Sequence, residues 1–366
     1  MNKIKIAYIM PVIDIGGAER QLLTLASGLD KNKYDVTVIY FGGDDQLRQD
    51  FLNAKVKLKR IESKHKFGIG LIFQLVKYFN QENFDIVHSH LFRADFHGVI
   101  AARIAGVPVV STKHNDERWF MNPFMIPIES TIDRLTAKTV VISDNLKRFF
   151  MKWAFIPENR IKRIYYGVDN NDLNNNNNDL KKEFNLDNKK IICNIARLTK
   201  QKDHFTLLKA LKFALSYDKD IILLIIGKGP LEDKLKSFAK ELKIDNNVLF
   251  LGFRKDANNF LAISDIFALS SLWEGLGLVF LEAMNQGKPV IATRVSSIPE
   301  ILKDSGLIIT KKNYVELGWA MVNLLKNKDW LNEISNNSKK RFLDFPKEKM
   351  IKEHDDLYNI IVNKNV

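Results

Sequence analysis

Two carboxylates, Glu274 and Glu282, stand with seven residues between them, and Gly275 and Gly277 follow directly after the first. The apolar run from Asp265 to Leu269 reads as a buried strand, and Leu278 to Gln286 has helical spacing with Gly287 and Pro289 as stop signals. The two glycines therefore occupy a strand-to-helix turn. In such a turn unpaired N–H groups and the positive end of the helix dipole favour a phosphate or another anion. Carboxylates beside a phosphate need hydrogen-bond donors, and the hydroxyls of ribose and other sugars supply them. Glu282 lies just over one turn into the helix, so both carboxylates can border one ligand. Taken alone, the pattern is equally an ordinary helix start with an acidic first turn.

A second group of residues suits the same chemistry. Arg197 and Lys202 follow the apolar strand 190–196 and precede a helix. A guanidinium binds phosphate bidentately and an ammonium binds it as a point charge, so the pair can neutralise a diphosphate; a solvated basic turn is the plainer alternative. His88 and His90 end one strand-like segment and His114 follows another, where ligands of open α/β sheets collect. No i, i+4 histidine pair on a helix and no cysteine accompanies them, so a metal centre is not indicated. Gly16-Gly17 precedes a helix and allows close backbone approach, but the G-x-G-x-x-G of a dinucleotide site is missing, which argues against an NAD-linked dehydrogenase. Gly227-Lys228-Gly229 is by itself no more than a turn.

The elements that must carry these residues form two alternating series. Strand-like runs at 4–10, 35–41, 84–88, 107–112 and 138–142 alternate with helical patterns near 18–29, 68–80, 94–105 and 144–153. Runs at 190–196, 221–226, 247–251, 265–269, 289–293 and 306–310 repeat the arrangement. This reads as two doubly wound α/β domains, 1–168 and 181–345, with an asparagine-rich linker at 169–180. A last amphipathic helix, 346–366, has Met350, His354, Leu357, Tyr358 and Ile361 on one face and needs a partner surface.

Composition narrows the setting. The single cysteine, Cys193, excludes an intramolecular disulfide and fits a reducing, cytoplasmic compartment. The lysines and short apolar run at the N-terminus read as a first strand rather than a signal peptide, and no apolar segment approaches the roughly 20 residues that span a bilayer. The net charge of +13 attracts phosphorylated substrates or anionic lipid, and no zinc-finger or RNA-binding signature points to nucleic acid. Two aromatic-basic stretches, Arg118 to Ile126 and Lys147 to Phe155, suit either packing or a peripheral contact with an anionic membrane.

With these residues in place, the stretch 270–289 resembles the E-x7-E motif of retaining glycosyltransferases of family 4, and the likeness extends over nearly the whole chain. The resemblance implies the GT-B fold, in which two facing Rossmann-like domains enclose a cleft and the terminal helix returns to the N-terminal domain. It assigns Arg197 and Lys202 to the donor diphosphate, Glu274 and His114 to the sugar, and Glu282 to the ribose. The amides around Gly275, Gly277 and Leu278 would also meet the diphosphate, Gly17 would lie near the donor phosphates, and Gly227 and Arg254 would border the base. Two positions depart from the family pattern: Tyr166 replaces an asparagine, and Ser296-Ser297 replaces a glycine pair.

The implied activity is that of a retaining hexosyltransferase. It moves a sugar from a UDP or GDP donor to a saccharide or polyprenyl-linked acceptor, by same-face attack with the departing phosphate taking the acceptor proton. No cofactor or metal is expected. The implied setting is bacterial surface polysaccharide, lipopolysaccharide or O-antigen biosynthesis, in the cytoplasm or peripherally at the inner face of its membrane. A sugar-nucleotide 2-epimerase of the same fold and a non-catalytic nucleotide-sugar-binding protein are the alternatives.

Overall fold

The computed structural model describes residues 3–62, 65, 67–115, 122, 125–169 and 177–363. It divides into two compact units, one formed by Met1–Asp169 with Phe345–Val366 and the other by Asn170–Asp344. Each is built on a parallel sheet.

The first unit contains β1 (Ile4–Met10), β2 (Tyr34–Tyr40), β3 (Lys57–Arg60), β4 (Ile86–His90), β5 (Val109–Lys113), β6 (Lys138–Val141) and β7 (Ile161–Arg163). Their order across the sheet is β3-β2-β1-β4-β5-β6-β7, so the winding reverses between β1 and β4. The apolar run 84–88 continues through the histidines as β4, Ile86–His90, which pairs with β1 on one side and carries its register with β5 through His90↔Thr112. β3 and β7 escaped the sequence reading. β3 is Lys-Leu-Lys-Arg on the sheet edge, largely exposed, and offers no apolar run to detect.

Helix Lys347–Asn363 closes this unit's core by burying Met350, His354, Leu357, Tyr358 and Ile361. Met350, Leu357, Tyr358 and Ile361 pack with Ile6, Tyr8 and Met10 in one apolar cluster. Each large apolar side chain buried this way contributes roughly 1.5–3 kcal/mol. A buried polar chain adds direction: Tyr8 and Tyr358 hydroxyls lie 3.0 Å apart, Tyr358 reaches His88 Nδ1 at 2.6 Å, and His88 Nε2 meets Thr112 Oγ1 at 2.6 Å.

The second unit contains β8 (Lys190–Ile195), β9 (Ile221–Ile226), β10 (Val248–Gly252), β11 (Ile266–Leu269), β12 (Val290–Thr293) and β13 (Gly306–Ile309), ordered β10-β9-β8-β11-β12-β13. Its winding reverses between β8 and β11. β9, Ile-Ile-Leu-Leu-Ile-Ile, is buried throughout, as a strand covered by helices on both sides must be. Both units are doubly wound, Rossmann-like α/β folds.

The expected linker, 169–180, is shorter than read: a helix begins at Asn177 and runs to Glu183. Within the aromatic-basic stretch 118–126, residues 118–121, 123 and 124 lie outside the described residues. Among the described residues no helix is long and apolar enough to cross a membrane.

Candidate functional site

The loops after β8 and β11 meet where the second sheet reverses, the place where open parallel sheets bind ligands. Hydrogen bonds hold the two loops together: Leu272 N–H donates to Gln201 O (2.8 Å), Gln201 Nε2 to Trp273 O (2.9 Å), and Ser270 Oγ to Asp203 O (2.8 Å). These bonds set Lys202 against Glu274, and their side chains form an ion pair at 14% and 5% exposure. The same Glu274 Oε1 accepts from Ser271 Oγ at 2.5 Å. Arg197 is exposed, and its guanidinium has no hydrogen-bond or ion-pair partner among the described residues. One cation is thus held by a carboxylate and another stands open.

Helix Leu278–Asn285 starts from Gly277 at φ 75°, the left-handed region that glycine tolerates. A Cβ there would also meet the Phe280 ring. Phe280 N–H donates to Gly277 O at 2.9 Å, while the amides of Leu278 and Val279 ahead of it have no intrahelical acceptor and are available to an anion. Gly277→Ala is therefore expected to destabilise the protein by about 1–3 kcal/mol, read as a lower urea midpoint. Glu282 lies on this helix, half-buried.

The two serines that depart from the family pattern brace the turn. Glu274 N–H donates to Ser296 Oγ at 3.1 Å, and Ser297 Oγ donates to Gly275 O. Ser296 adopts φ 47°, where a glycine would sit without strain, so its hydroxyl contact offsets a backbone cost. Thr293 Oγ1 donates to Ser271 O at 2.5 Å. Sequence reasoning missed Gln201 and Thr293, since each acts on a loop distant in sequence, and it missed Ser271, whose hydroxyl reaches Glu274 only three residues on.

Gly227 and Gly229 press against the end of β8. A Cβ at Gly227, which has φ 138°, would collide with Ala196 O, and one at Gly229 would come 2.5 Å from Leu198 O. Their glycine identity thus shapes the backbone on either side of Arg197. Arg254 gives its guanidinium to Asp256 in a two-point contact, Nε–Oδ1 2.8 Å and Nη2–Oδ2 2.7 Å, and lies over the Phe260 ring. A base contact by its side chain would have to compete with that carboxylate.

In the first unit, helix Gly17–Gly28 begins right after Gly16, and the Glu19 carboxylate folds back into the space a Gly16 Cβ would fill. A phosphate near Gly17 would meet that negative charge. Gln21 clamps the Tyr166-Gly167 segment from both sides, with Nε2 to Gly167 O at 2.9 Å and Gly167 N–H to Oε1 at 3.1 Å. His114 is 7% exposed. Its Nδ1 lies 2.6 Å from the Tyr166 hydroxyl and its Nε2 3.0 Å from His90 Nδ1. Burial pushes its pKa down to about 3, aided by His354 and Lys113, so the ring is neutral. Tyr166 thus supplies His114 with a partner that an asparagine would reach differently. A sugar contact by a ring nitrogen of His114 requires one of these bonds to open.

The two Rossmann-like parallel-sheet units have the GT-B fold. Residues 15–172 match the model for Glycosyltransferase Family 4, and residues 175–341 match that for Glycosyl transferases group 1. The protein belongs to this glycosyltransferase family. Among its relatives is the Escherichia coli UDP-Gal:alpha-D-GlcNAc-diphosphoundecaprenol alpha-1,3-galactosyltransferase, 28% identical with 99% of each chain covered. Another is the Escherichia coli O-antigen biosynthesis glycosyltransferase WclY, 26% identical over 97% of this chain and 98% of that one. The fold matches Anabaena Alr3699/HepE in complex with UDP-glucose at a TM-score of 0.88, with 20% identity over 97% of this chain and 99% of the other.

Proposed function

We propose that the protein transfers a sugar from a nucleotide diphosphate donor, UDP or GDP, to a saccharide or polyprenyl-linked acceptor with retention at the anomeric carbon. The observation that carries this reading is the open Arg197 on the segment after β8 that also carries Lys202 to its pairing with Glu274, at the reversal of the second sheet. Cleavage of the sugar-phosphate bond builds negative charge on the departing diphosphate. Fixed cations and helix amides stabilise that charge more than they stabilise the ground state. Arg197, Lys202 and the amides at Gly277 and Leu278 take this role, without a metal ion. Glu274 orients the sugar and Glu282 accepts from the ribose hydroxyls. In the retaining step the departing phosphate oxygen accepts the proton of the attacking acceptor hydroxyl.

The two whole-length relatives are named as transferases, which favours transfer over 2-epimerisation or simple binding. Their names also support surface polysaccharide or O-antigen biosynthesis as the setting. A peripheral membrane contact is supported by helix Asp144–Trp153, where Arg148 and Lys152 are exposed near Phe155, itself 67% exposed.

Thermal unfolding with UDP, GDP and ADP tests the donor site. A nucleotide at a hundred times its dissociation constant stabilises the native state by about 2.7 kcal/mol. One nucleotide is expected to raise the wild-type midpoint and to lose most of that effect in Glu282→Ala. An undiminished rise in the variant would remove Glu282 from the ribose. Retention is read from the anomeric proton coupling of the product, and an inverted product would refute it.

A further inference from the structure

The first sheet reverses between β1 and β4, and β4 ends on His90. Ligands of open parallel sheets bind beyond the strand ends at such a reversal. His90 is only 3% exposed and its ring stacks between His88, with centroids 4.3 Å apart, and His114, at 5.2 Å. Its Nδ1 is joined to His114 Nε2 at 3.0 Å, and His114 Nδ1 is joined to the Tyr166 hydroxyl at 2.6 Å. Burial lowers the pKa of both histidines, so each imidazole is neutral with one N–H.

The proton count then gives the chain a direction. A phenol is a stronger acid than a neutral imidazole, so Tyr166 donates to His114 Nδ1. His114 Nε2–H donates in turn to His90 Nδ1, and the one proton of His90 is left on Nε2. That Nε2 is buried and has no hydrogen-bond partner among the described residues. A buried donor without an acceptor is costly, and native structures seldom keep one without a use. The next residue, Leu91, sits at φ 70° and ψ 152°, a conformation otherwise reserved for glycine, so the backbone that fixes His90 is strained as well.

We propose that His90 Nε2 is a ligand contact that donates a hydrogen bond to a hydroxyl of a saccharide substrate. The proposal rests on the sugar-transfer reading above. A hydroxyl fits because it accepts from an N–H and can also donate to a lone pair, so it satisfies His90 under either direction of the chain. A phosphate would call for a cation here, and these rings are held neutral. The hydroxyl belongs either to the donor sugar or to the acceptor, and kinetics distinguish the two.

His90→Phe keeps the stacked ring and removes both nitrogens, whereas His90→Gln returns an amide near the Nε2 position. Calorimetry with UDP, UDP-glucose, UDP-galactose, GDP and GDP-mannose reads the donor arm. Transfer to a short-chain α-GlcNAc-diphospholipid reads the acceptor arm. A donor contact is expected to cost His90→Phe about tenfold in affinity for the nucleotide sugar, with affinity for the free nucleotide unchanged and part of the loss restored in His90→Gln. An acceptor contact is expected instead to raise the acceptor KM about tenfold with donor affinity intact. If His90→Phe is folded, with an unfolding midpoint at or above wild type, and changes neither quantity, Nε2 serves only a buried water and the proposal is overturned. Should His90→Phe fail to fold, wild-type affinity and KM in a variant carrying His90→Leu would overturn it equally. Wild-type protein that neither binds a nucleotide nor transfers sugar would refute the underlying reading before any variant is made.

Discussion

Lys202→Met is expected to lower kcat for sugar transfer by about 10²–10³-fold while weakening nucleotide binding far less, because a preorganised cation acts mainly on charge that develops in the transition state. Lys202 is preorganised by its neighbours. Gln201 on one side is tied to Leu272 and Trp273, and Ser270 grips the Lys202 and Asp203 carbonyls. The ammonium is already largely desolvated against Glu274, so it needs little rearrangement when a diphosphate arrives. The same pairing creates an ambiguity that a second variant removes. Glu274 is 4% exposed, and loss of Lys202 leaves its charge unpaired. In Lys202→Met/Glu274→Gln that burden is gone. If the double variant matches Glu274→Gln alone, Lys202 only neutralises Glu274; if its kcat falls well below that of Glu274→Gln, the cation acts on the leaving group. Single-turnover rates with saturating donor make the comparison, and a kcat for Lys202→Met within threefold of wild type would sink the assignment.

Lys113→Met is expected to destabilise the first unit by about 3–5 kcal/mol, the range for breaking a buried ionic network from one side. Its Nζ lies 2.9 Å from Asp95, 2.5 Å from Glu129 and 3.0 Å from Asp133, and none of the four side chains exceeds 3% exposure. Ser89 and Ser111 hydroxyls donate to Asp95 Oδ1, whereas Glu129 Oε2 and Asp133 Oδ2 have no partner among the described residues. One ammonium cannot balance three buried carboxylates, so the cluster holds a proton. Burial pushes Glu129 up to about 8 in spite of Lys113, and it raises Asp133 as well.

The sign of the pH dependence follows from that proton. Between the ordinary glutamate value and about 8 the folded state binds more protons than the unfolded chain, so this group makes stability fall as pH rises through that window. The buried histidines act oppositely. His88, His90, His114, His204 and His354 are all pushed below their ordinary value by burial, so their contribution is present above 6.5 and is lost as pH falls. Urea midpoints from pH 5 to 9 are expected to rise toward neutrality and then decline, and Glu129→Gln is expected to flatten the decline. An unchanged alkaline slope in that variant would assign the proton elsewhere in the cluster.

Much of the architecture was legible along the chain. Long apolar runs such as Ile221 to Ile226 announce buried strands whatever their neighbours, because a strand covered on both sides has no polar period to confuse. The turn at Gly275 to Gly277 was legible for a related reason: a left-handed residue before a helix demands glycine, and the demand is local. The polar edge strand β3 was not, since its partner on β2 is what makes Lys57 to Arg60 a strand.

The sequence by itself determined the two α/β halves, the strand-turn-helix that holds Glu274 and Glu282, and the residue types fit for a sugar nucleotide. Only the tertiary structure decided strand order, and with it where each sheet reverses. It brought Lys202 to Glu274 across 72 residues of chain, set Ser296 and Ser297 under the turn, and joined Tyr166 to His114 across 52. The division has a physical cause. Periodicity and turn chemistry are settled by forces within a few neighbouring residues, whereas ion pairs and buried hydrogen bonds depend on which strand ends the folded sheet sets side by side.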